Sequence, residues 1–358
     1  MRKLQVGILY GGRSVEHAVS INSARNIAQY IDRNKFDPYL FGIDQNGKWF
    51  ATQEVSKDFS EGAHVDLYLN PEQPTFEFAG TRTPMDVVFP LLHGTDGEDG
   101  SVQGLLQTMN IPCVGSGVLG SALSMNKIIA KQLMQAAGLP VGKFLYFNRL
   151  ERQAIQFKTI EAALGLPFMV KSASLGSSVG VSKVKAENDF SKAVEDSFQY
   201  DDEILFEEFI QGREVECAVL GNYPPQASLP GEIVINPQYE FYTFDAKYVD
   251  PDAVRIDVPA KLNASIAAQI QSISIKAFQT LRCLDYARVD LFLADSGRVF
   301  VNEINTIPGF TNSSMFPMMW KERGISFPDL ITKLIDLSIE RHKRSEGIKR
   351  NFQSNLKH

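Results

Sequence analysis

The chain has 358 residues, of which 44% are hydrophobic and 22% charged, which is ordinary for a globular protein and enough for two or three domains with cores of their own. Its 36 basic and 42 acidic residues give a formal net charge of -6, which argues against a protein that mainly binds nucleic acid. No stretch approaches the roughly 20 consecutive apolar residues of a membrane span, and the three cysteines are widely spaced in apolar segments. We therefore expect a cytoplasmic protein with free thiols and no nucleic-acid or membrane partner, which holds any phosphate group by a local arrangement of residues.

Residues 1 to about 120 are predicted to form an open α/β sheet. The apolar run LQVGILYGG predicts a buried strand that enters a glycine turn, and apolar residues recur near helical spacing in the following segment, SVEHAVSINSARNIAQYI. MDVVFPLLHG is a further apolar run that ends in glycine. Ligands of open α/β sheets bind at such strand ends.

The next part of the chain is predicted to have α+β organisation. The segment SMNKIIAKQLMQAAGLP predicts a helix that is capped by Ser124 and followed by Gly138, and it opens a second domain. Four β-rich segments and one long helix come after it: LPFMVKSA, VGVSKV, EILFEEFI, EVECAVLG and NASIAAQIQSISIKAFQTLRCL. The charged end of the chain predicts a helix that runs into a solvated tail.

The segment ARVDLFLADSGRVFVNEINTIPGFT sets two acidic residues and an amide among apolar residues. Its Ser296-Gly297 dipeptide predicts a two-residue hairpin turn, in which Asp295 pairs with Arg298. Counting outward along the two strands gives two opposed pairs on one face, Asp290 with Glu303 and Arg288 with Asn305. The other face is then formed by Val289, Leu291, Leu293, Phe300 and Ile304.

Opposed carboxylates in apolar surroundings repel each other and lose hydration, so they need a cation or a proton between them. Oxygen ligands of this kind favour magnesium or manganese over zinc. The alternative is a strand face on which Arg288 bridges the carboxylates structurally.

A small-residue loop between two predicted strands, VKSASLGSSVGVSKV, is the candidate phosphate site. Glycine and serine let backbone N–H groups approach an anion, and Lys171 supplies a positive charge at the strand end. The alternative is a flexible hairpin tip. The lysines Lys127, Lys171 and Lys247, together with the predicted metal carboxylates, indicate phosphoryl transfer from a nucleotide.

Two other motifs predict different chemistry and are not favoured. GSSVG fits the G-x-S-x-G pattern with Ser178 as a hydrolase nucleophile, but only His342 and His358 follow it, both in the charged tail. GSGVLG fits G-x-G-x-x-G, yet residues 121–150 contain no acidic residue for a ribose contact, so a dehydrogenase is not indicated.

Five segments of the chain, over roughly residues 3 to 340, closely resemble the D-alanine--D-alanine ligases, enzymes of the ATP-grasp fold. They are LLHGTDGEDGSVQGLL, GSGVLGSALSMNK, LGSSVGVSKV, FYTFDAKY and ARVDLF with VNEINTIPGFT. The resemblance implies an α/β and α+β protein with an N-terminal Rossmann-like, pre-ATP-grasp domain at 1–122. It further implies a central ATP-grasp subdomain at 123–212, a C-terminal ATP-grasp subdomain at 213–345 and a polar tail at 346–358.

In that family ATP phosphorylates the carboxylate of one D-alanine, and the amine of a second D-alanine attacks the acyl phosphate, to make the dipeptide for peptidoglycan. The resemblance implies that two Mg²⁺ ions, or Mn²⁺, are held by Asp290, Glu303 and Asn305. It implies that ATP is bound by Lys127, Lys171, Ser178, Glu207, Phe209, Ile210, Glu214 and Lys247. Within this set, Glu207 corresponds to the adenine contact and Glu214 to the ribose contact.

The resemblance also implies a catalytic set, Glu16, Ser177, Tyr248, Arg288 and Gly309, and a substrate set, Glu16, His93, Arg288, Ser314 and Met315. Glu16 pairs with the first ammonium group, while Arg288 and the Gly309 backbone stabilise the oxyanion. Read without the family, Glu16 only favours a helix N-terminus and His93 is a satisfied strand-end histidine.

The tyrosine at Tyr248 resembles the residue of dipeptide-forming members, which favours D-alanine as both substrates. The rival acceptors are D-lactate and D-serine. Two other classes of function stay open from the residues alone, a hydrolase that uses Ser178 and a nucleotide-binding module without catalysis. The family also suggests a homodimer.

Overall fold

The computed structural model of the chain describes residues 2–176, 179–236 and 254–349. In these ranges the strands are β1 (Leu4–Gly11), β2 (Phe36–Ile43), β3 (Trp49–Thr52), β4 (Ala63–His64), β5 (Asp66–Tyr68), β6 (Thr75–Phe78), β7 (Thr81–Pro84), β8 (Val87–Pro90), β9 (Phe144–Asn148), β10 (Phe168–Ser172), β11 (Val181–Val184), β12 (Glu203–Glu208), β13 (Gly212–Leu220), β14 (Gln226–Ala227), β15 (Gly231–Ile235), β16 (Val254–Asp257), β17 (Tyr286–Ala294) and β18 (Val299–Asn305). The helices are α1 (His17–Tyr30), α2 (Ser101–Thr108), α3 (Val118–Met125), α4 (Lys127–Ala136), α5 (Phe157–Leu164), α6 (Glu187–Phe198), α7 (Ala264–Thr280), α8 (Met315–Lys321) and α9 (Phe327–Glu346), with a 3-10 helix at Arg149–Ala154.

The N-terminal part contains an open sheet with strand order β4-β3-β2-β1-β8, in which β1 is parallel to β2 and β8. Parallel neighbours require a crossover, and α1 supplies it between β1 and β2. Ile21, Ala24 and Ile27 recur on one side of α1 and are buried with Val6 and Ile8 of β1. The predicted α/β organisation of this part is therefore confirmed.

Two antiparallel sheets follow, as the α+β prediction requires. One has the order β11-β10-β12-β9, and the other runs β16-β15-β13-β17-β18 with β14 paired to β13. The first sheet packs its apolar face on α5 and α6 through a core that includes Phe168 and Phe206. The second packs on α7 through a core that includes Val289 and Ile270. The second faces of the sheets are partly covered as well, by α4 at Leu205 of β12 and by α8 at Ala218 of β13.

The helix predicted from SMNKIIAKQLMQAAGLP divides at Asn126, and Ser124 is not its cap. The side chain of Asn126 accepts a hydrogen bond from Ile129 N at 3.0 Å, which caps α4. Ser124 lies inside α3, where its hydroxyl is 3.4 Å from Cys283 Sγ. Asparagine and serine are similarly favoured as helix caps, so their preference alone does not distinguish Asn126 from Ser124. The predicted start of the helix was wrong by only a few positions.

The turn between β17 and β18 differs from the prediction. Ala294, and not Asp295, pairs with Arg298: Ala294 N donates to Arg298 O at 2.9 Å, and Gly297 N donates to Ala294 O at 2.8 Å. The turn therefore has three residues and ends on Gly297, whose φ of 81° lies in the left-handed region that glycine adopts without strain.

A β-bulge restores the predicted pairing further along the hairpin. Leu291 pairs with Val301, whereas Asp290 pairs with Glu303, so Asn302 is the extra residue. Beyond the bulge the opposed pairs Asp290–Glu303 and Arg288–Asn305 form as predicted.

The placement of Phe300 on the apolar face is wrong, because the register near the turn is shifted by one residue. Phe300 pairs with Phe292, and its neighbours Val299 and Val301 point into the core with Leu291 instead.

A buried ion pair joins three separate parts of the chain. Asp285, whose side chain is 0% exposed, accepts hydrogen bonds from Arg341 of α9 at 2.9 Å, from Gly115 N at 2.9 Å and from Asn222 at 3.0 Å. Arg341 also donates to the carbonyl oxygens of Cys113 and Gly115 at 2.6 and 3.0 Å. Burial lowers the pKa of Arg341, and the carboxylate of Asp285 more than offsets this effect. The pair fixes α9 against the end of the N-terminal sheet and the start of β17.

The three thiols are free, as predicted; Cys217 and Cys283 are buried and Cys113 is half-buried. Over the ranges that the structure covers, no helix combines the length and apolar character needed to cross a membrane.

Replacement of Arg341 by methionine is expected to destabilise the protein by about 3 kcal/mol, because it leaves the Asp285 carboxylate buried without its cation. Urea denaturation measures the change. Arg344→Met, at an exposed position of the same helix, is the matched control and should shift the midpoint little. Equal shifts for the two variants would contradict a structural role of the buried pair.

Candidate active site

A cavity of about 390 Å³ is lined by residues of both antiparallel sheets and of α4. Of the predicted nucleotide contacts, the described residues that line it are Lys127, Lys171, Glu207, Phe209, Ile210 and Glu214. Two of the predicted metal ligands, Asp290 and Glu303, line it as well. Ser178 and Lys247 lie outside the described residues, as do Ser177 and Tyr248. The structure thus brings six predicted nucleotide contacts and two predicted metal ligands to one cavity.

Glu207 of β12 carries two ion pairs inside this cavity. Its Oε1 lies 2.6 Å from Lys131 Nζ and its Oε2 lies 2.6 Å from Lys171 Nζ. Burial raises the pKa of the Glu207 carboxyl, but the two ammonium groups outweigh burial and bring the pKa to about 2. The same carboxylate raises the pKa of Lys171 against the effect of burial. Glu207 is therefore ionised at any physiological pH.

The carboxylates of the hairpin also have cationic neighbours. Arg288 Nε and Nη2 each donate to one oxygen of Asp290 at 2.7 Å, and Asn305 Nδ2 donates to Asp290 Oδ2 at 2.8 Å. Lys127 Nζ lies 3.3 Å from Glu303 Oε2 and donates to Leu175 O at 2.7 Å. Arg288 thus pairs with Asp290, one of the two opposed carboxylates that the alternative interpretation required it to bridge.

The chemistry of this donor set fits a hard divalent cation. Asp290, Glu303 and Asn305 offer only oxygen ligands and project from one face of the hairpin, on adjacent strands. Within the described ranges no group of three histidine, cysteine or acidic residues is placed to hold a metal. Two carboxylates and one amide form a smaller set, of the kind that Mg²⁺ uses when phosphate oxygens and waters supply the remaining ligands.

A second cluster surrounds Glu16 at the N-terminus of α1, where the Glu16 side chain does not cap the helix. The carboxylate of Glu16 is buried against two glycines from distant parts of the chain. A Cβ atom would lie 2.9 Å from Glu16 Oε2 if added at Gly94, and 2.7 Å from it if added at Gly176. Residues without side chains therefore make the room that this carboxylate occupies.

His93 and Glu98 hold the peptide of Ile307, which follows β18. The His93 ring lies 2.7 Å from Ile307 O through Nδ1 and 3.1 Å from Ser23 Oγ through Nε2, while Ile307 N donates to Glu98 Oε1 at 2.9 Å. Burial lowers the pKa of His93 despite the nearby carboxylate of Glu16. Burial and Glu16 together raise the pKa of Glu98 to about 8. His93 is thus neutral, and its hydrogen bond to Ile307 O holds the backbone of the C-terminal part.

The remaining predicted substrate residues follow Ile307. The Ser314 hydroxyl lies 2.8 Å from Thr311 Oγ1 and accepts from Thr311 N at 3.1 Å, and a Cβ atom at Gly309 would lie 3.2 Å from it. The Met315 side chain is buried in the core, close to Gly231. Any contact of Met315 with a substrate must therefore come from its backbone.

The polar residues of the site that were not predicted from the sequence include Lys131, Glu98, Glu216 and Asn302. Lys131 follows Lys127 at i+4 on one helix face, which is a usable signal, and Glu216 lies opposite Asp290 on β13. Arg288 Nε lies 2.9 Å from Glu216 Oε2, so this arginine neutralises two carboxylates. Asn302 accepts from Lys171 at 3.3 Å only because the bulge turns it toward the cavity, and a bulge has no reliable signal in a single sequence.

The histidines that follow the G-x-S-x-G motif do not support a hydrolase. His342 lies on α9, 3.7 Å from Glu346, and His358 is outside the described residues.

The chain matches two family models, described as D-ala D-ala ligase N-terminus over residues 5–116 and D-ala D-ala ligase C-terminus over residues 133–336. It is 47% identical to a D-alanine--D-alanine ligase of Shouchella clausii over 98% of each chain. It is 44% identical to D-alanine--D-alanine ligase A of Escherichia coli K12 over 98% of this chain and 99% of that protein.

Solved structures of ligases are also similar to this chain. The D-alanine-D-alanine ligase from Coxiella burnetii matches with a TM-score of 0.85 at 37% identity, over 97% of both chains. The VanG D-Ala:D-Ser ligase from Enterococcus faecalis matches with a TM-score of 0.86 at 35% identity, over 94% of this chain and 100% of that one. These similarities confirm the predicted ATP-grasp fold, and the chain belongs to the D-alanine--D-alanine ligase family.

Proposed function

We propose that this protein joins two molecules of D-alanine into D-alanyl-D-alanine, with conversion of ATP to ADP and phosphate, for the synthesis of peptidoglycan precursors. The observation that carries the proposal is the position of Arg288. Its guanidinium group pairs with Asp290 at the nucleotide cavity, and its charge also acts on His93 and Glu98 in the cluster around Glu16. One cation therefore lies between a site suited to a triphosphate and a pocket suited to an amino acid.

The reaction requires the first D-alanine to present its carboxylate to the nucleotide. Its ammonium group is complementary to the buried carboxylate of Glu16, so this pair orients the molecule. A carboxylate oxygen attacks the γ-phosphorus, the bond from phosphorus to the bridging oxygen breaks, and ADP leaves. Lys127 and Lys171, whose ammonium groups line the cavity, neutralise the phosphate charge during this step.

In the second step the amine of the other D-alanine attacks the acyl carbon, loses a proton and displaces phosphate. The tetrahedral oxyanion that forms is stabilised by Arg288 and by the backbone N–H of Gly309. The hydrogen bonds of His93 and Glu98 to Ile307 fix the segment that carries Gly309. Ser314 is assigned to the carboxylate of the second D-alanine, and Ser177 and Tyr248 to the network around Glu16.

Asp290, Glu303 and Asn305 would hold two Mg²⁺ ions, or Mn²⁺, which neutralise phosphate oxygens when bound. Glu207 is assigned to the adenine, Glu214 to the ribose, the segment of Phe209 and Ile210 to the base, and Ser178 and Lys247 to the phosphates.

We also propose that the chain divides into domains at 1–122, 123–212 and 213–345, with a tail at 346–358, and works as a cytoplasmic homodimer. The sheets support this division, since the five-stranded sheet and a small sheet of β5, β6 and β7 end before residue 91, and the four-stranded sheet spans 144–208. The six-stranded sheet begins at Gly212, one residue before the proposed boundary.

The proposed function predicts one ADP per dipeptide when the purified protein is given MgATP and D-alanine. Mass spectrometry of the products, with D-serine and D-lactate as competing acceptors, identifies the bond formed. The dipeptide should dominate at neutral pH. Exclusive formation of an ester, or binding of ATP without ADP release under any acceptor, would contradict the proposal.

Glu303→Gln is expected to lower turnover by roughly 100-fold or more, because an amide holds a divalent cation far less strongly than a carboxylate. Calorimetry should show, independently of turnover, that Mg²⁺ no longer strengthens nucleotide binding. Asp295→Asn, at the exposed tip of the same hairpin, is the matched control and should leave both quantities unchanged. Full turnover of Glu303→Gln would remove the metal assignment.

Gly176→Ala is expected to raise the KM for D-alanine roughly 10-fold, and by a larger factor than the KM for ATP, because the added methyl group displaces the Glu16 carboxylate. Steady-state kinetics with each substrate varied in turn separates the two constants. Gly117→Ala is the control, since a Cβ atom there meets nothing within 4 Å. An unchanged KM for D-alanine in Gly176→Ala would argue against Glu16 as the ammonium partner.

A further inference from the structure

Lys131 is a buried lysine of the cavity that has no part in the reaction as described above. It lies on α4, four residues after Lys127, and its side chain is only 2% exposed. Burial lowers the pKa of Lys131 even though Glu207 acts in the opposite direction. A charged lysine is unfavourable in such a place unless it has a partner, and its partner at 2.6 Å is Glu207 Oε1.

Glu207 therefore has one ammonium group on each oxygen, although one cation is enough to neutralise a carboxylate. The two lysines differ in their surroundings. Lys171 is 12% exposed, donates to Asn302 across the cavity at 3.3 Å, and is the lysine assigned to the phosphates. Lys131 is enclosed and directed at Glu207. Lys171 is thus placed to change partners, and Lys131 is placed to keep its own.

We propose that Lys131 is the permanent counter-ion of Glu207, which keeps this carboxylate neutralised when Lys171 leaves it for the phosphates of the nucleotide. The inference rests on the proposed function, because it assumes that MgATP binds in the cavity and that Lys171 meets its phosphates. Lys131 acts on the nucleotide only through Glu207 and Lys171, so it is a positioning residue.

Without Lys131, the departure of Lys171 would leave a buried carboxylate with no cation. Release of Lys171 would then require Glu207 to take up a proton, and the free-energy cost of this protonation weakens nucleotide binding. Nucleotide binding would therefore become coupled to proton uptake, and affinity would fall as the pH rises. With Lys131 in place, Glu207 stays ionised before and after binding and contributes no such dependence.

Two carboxylates that act on these lysines cannot replace Lys131. The carboxylate of Glu303 on β18 acts on both lysines, and that of Glu214 on β13 acts on Lys171. Both are anions, so neither can neutralise Glu207. Both carboxylates remain when Lys131 is replaced. The difference in MgATP binding between the Lys131 variant and the unmodified protein therefore reports on Glu207.

The test is Lys131→Met, which keeps the length of the side chain and removes its charge. MgATP binding is measured by calorimetry in two buffers of different ionisation enthalpy, which gives the number of protons taken up. We expect at least a tenfold loss of affinity, equivalent to about 1.4 kcal/mol, and an uptake of up to one proton more than in the unmodified protein. Lys158→Met, at an exposed position of α5, is the matched control and should behave as the unmodified protein.

A second pair of variants removes the buried carboxylate. In the Glu207→Gln background, Lys131→Met should lower MgATP affinity by less than about threefold and add no proton uptake, because no charge is left to neutralise. If Lys131→Met alone does not fold, the double variant tests the proposal instead. We expect the double variant to fold and to bind MgATP as Glu207→Gln does. Failure of the double variant to fold would overturn the proposal.

The remaining outcomes are also decisive. Unchanged affinity in Lys131→Met, or weaker binding without additional proton uptake, would overturn the counter-ion role and leave the proposed function intact. Absence of MgATP binding in the unmodified protein would instead contradict the proposed function, and this inference with it.

Discussion

Neutralisation of charge in an enclosed space is the constraint on which the whole site depends. The β17–β18 hairpin places Asp290 opposite Glu303, where two carboxylates repel each other and lose hydration. Arg288 and Lys127 supply the opposite charges at 2.7 and 3.3 Å. The same arrangement recurs at Glu207, which is held between two ammonium groups. The charged side chains of the site are thus already paired with each other. A polyanion that binds there with its cations must therefore replace these ion pairs with its own contacts.

The pocket around Glu16 depends on contacts between parts of the chain that are distant in sequence. His93 and Glu98, from the segment after β8, hold both the carbonyl and the amide of Ile307 beyond β18. The pair of Asp285 and Arg341 is a second link between the N-terminal and C-terminal parts, through the backbone of Cys113 and Gly115. The backbone of Gly309 is therefore positioned by the N-terminal part, although it belongs to the C-terminal part. The surroundings of Glu16 are therefore built from several regions of the chain, which include Gly94 and Gly176.

The sequence predicted the fold class, and most of the nucleotide and metal residues that it proposed line one cavity, because hydrophobic periodicity and the family motifs are local signals. What it missed depends on tertiary contacts. The turn at 295–297 has one residue more than predicted, and the bulge at Asn302 compensates for it, so the Asp290–Glu303 pairing was right although the counting that led to it was not. Glu98 and Glu216 gained their roles only through neighbours from other strands, and no spacing along the chain reveals such neighbours.

The bulge at Asn302 separates two parts of one hairpin. On the side of the turn, the pairing of strands follows from the length of the loop, whereas on the far side the register is set by the extra residue and by pairing of β17 with β13. The register of Asp290 and Glu303 is thus also held by contacts that do not involve the tip of the hairpin. Insertions and deletions at the tip are therefore a route by which related proteins could diverge in surface shape while conserving their chemistry.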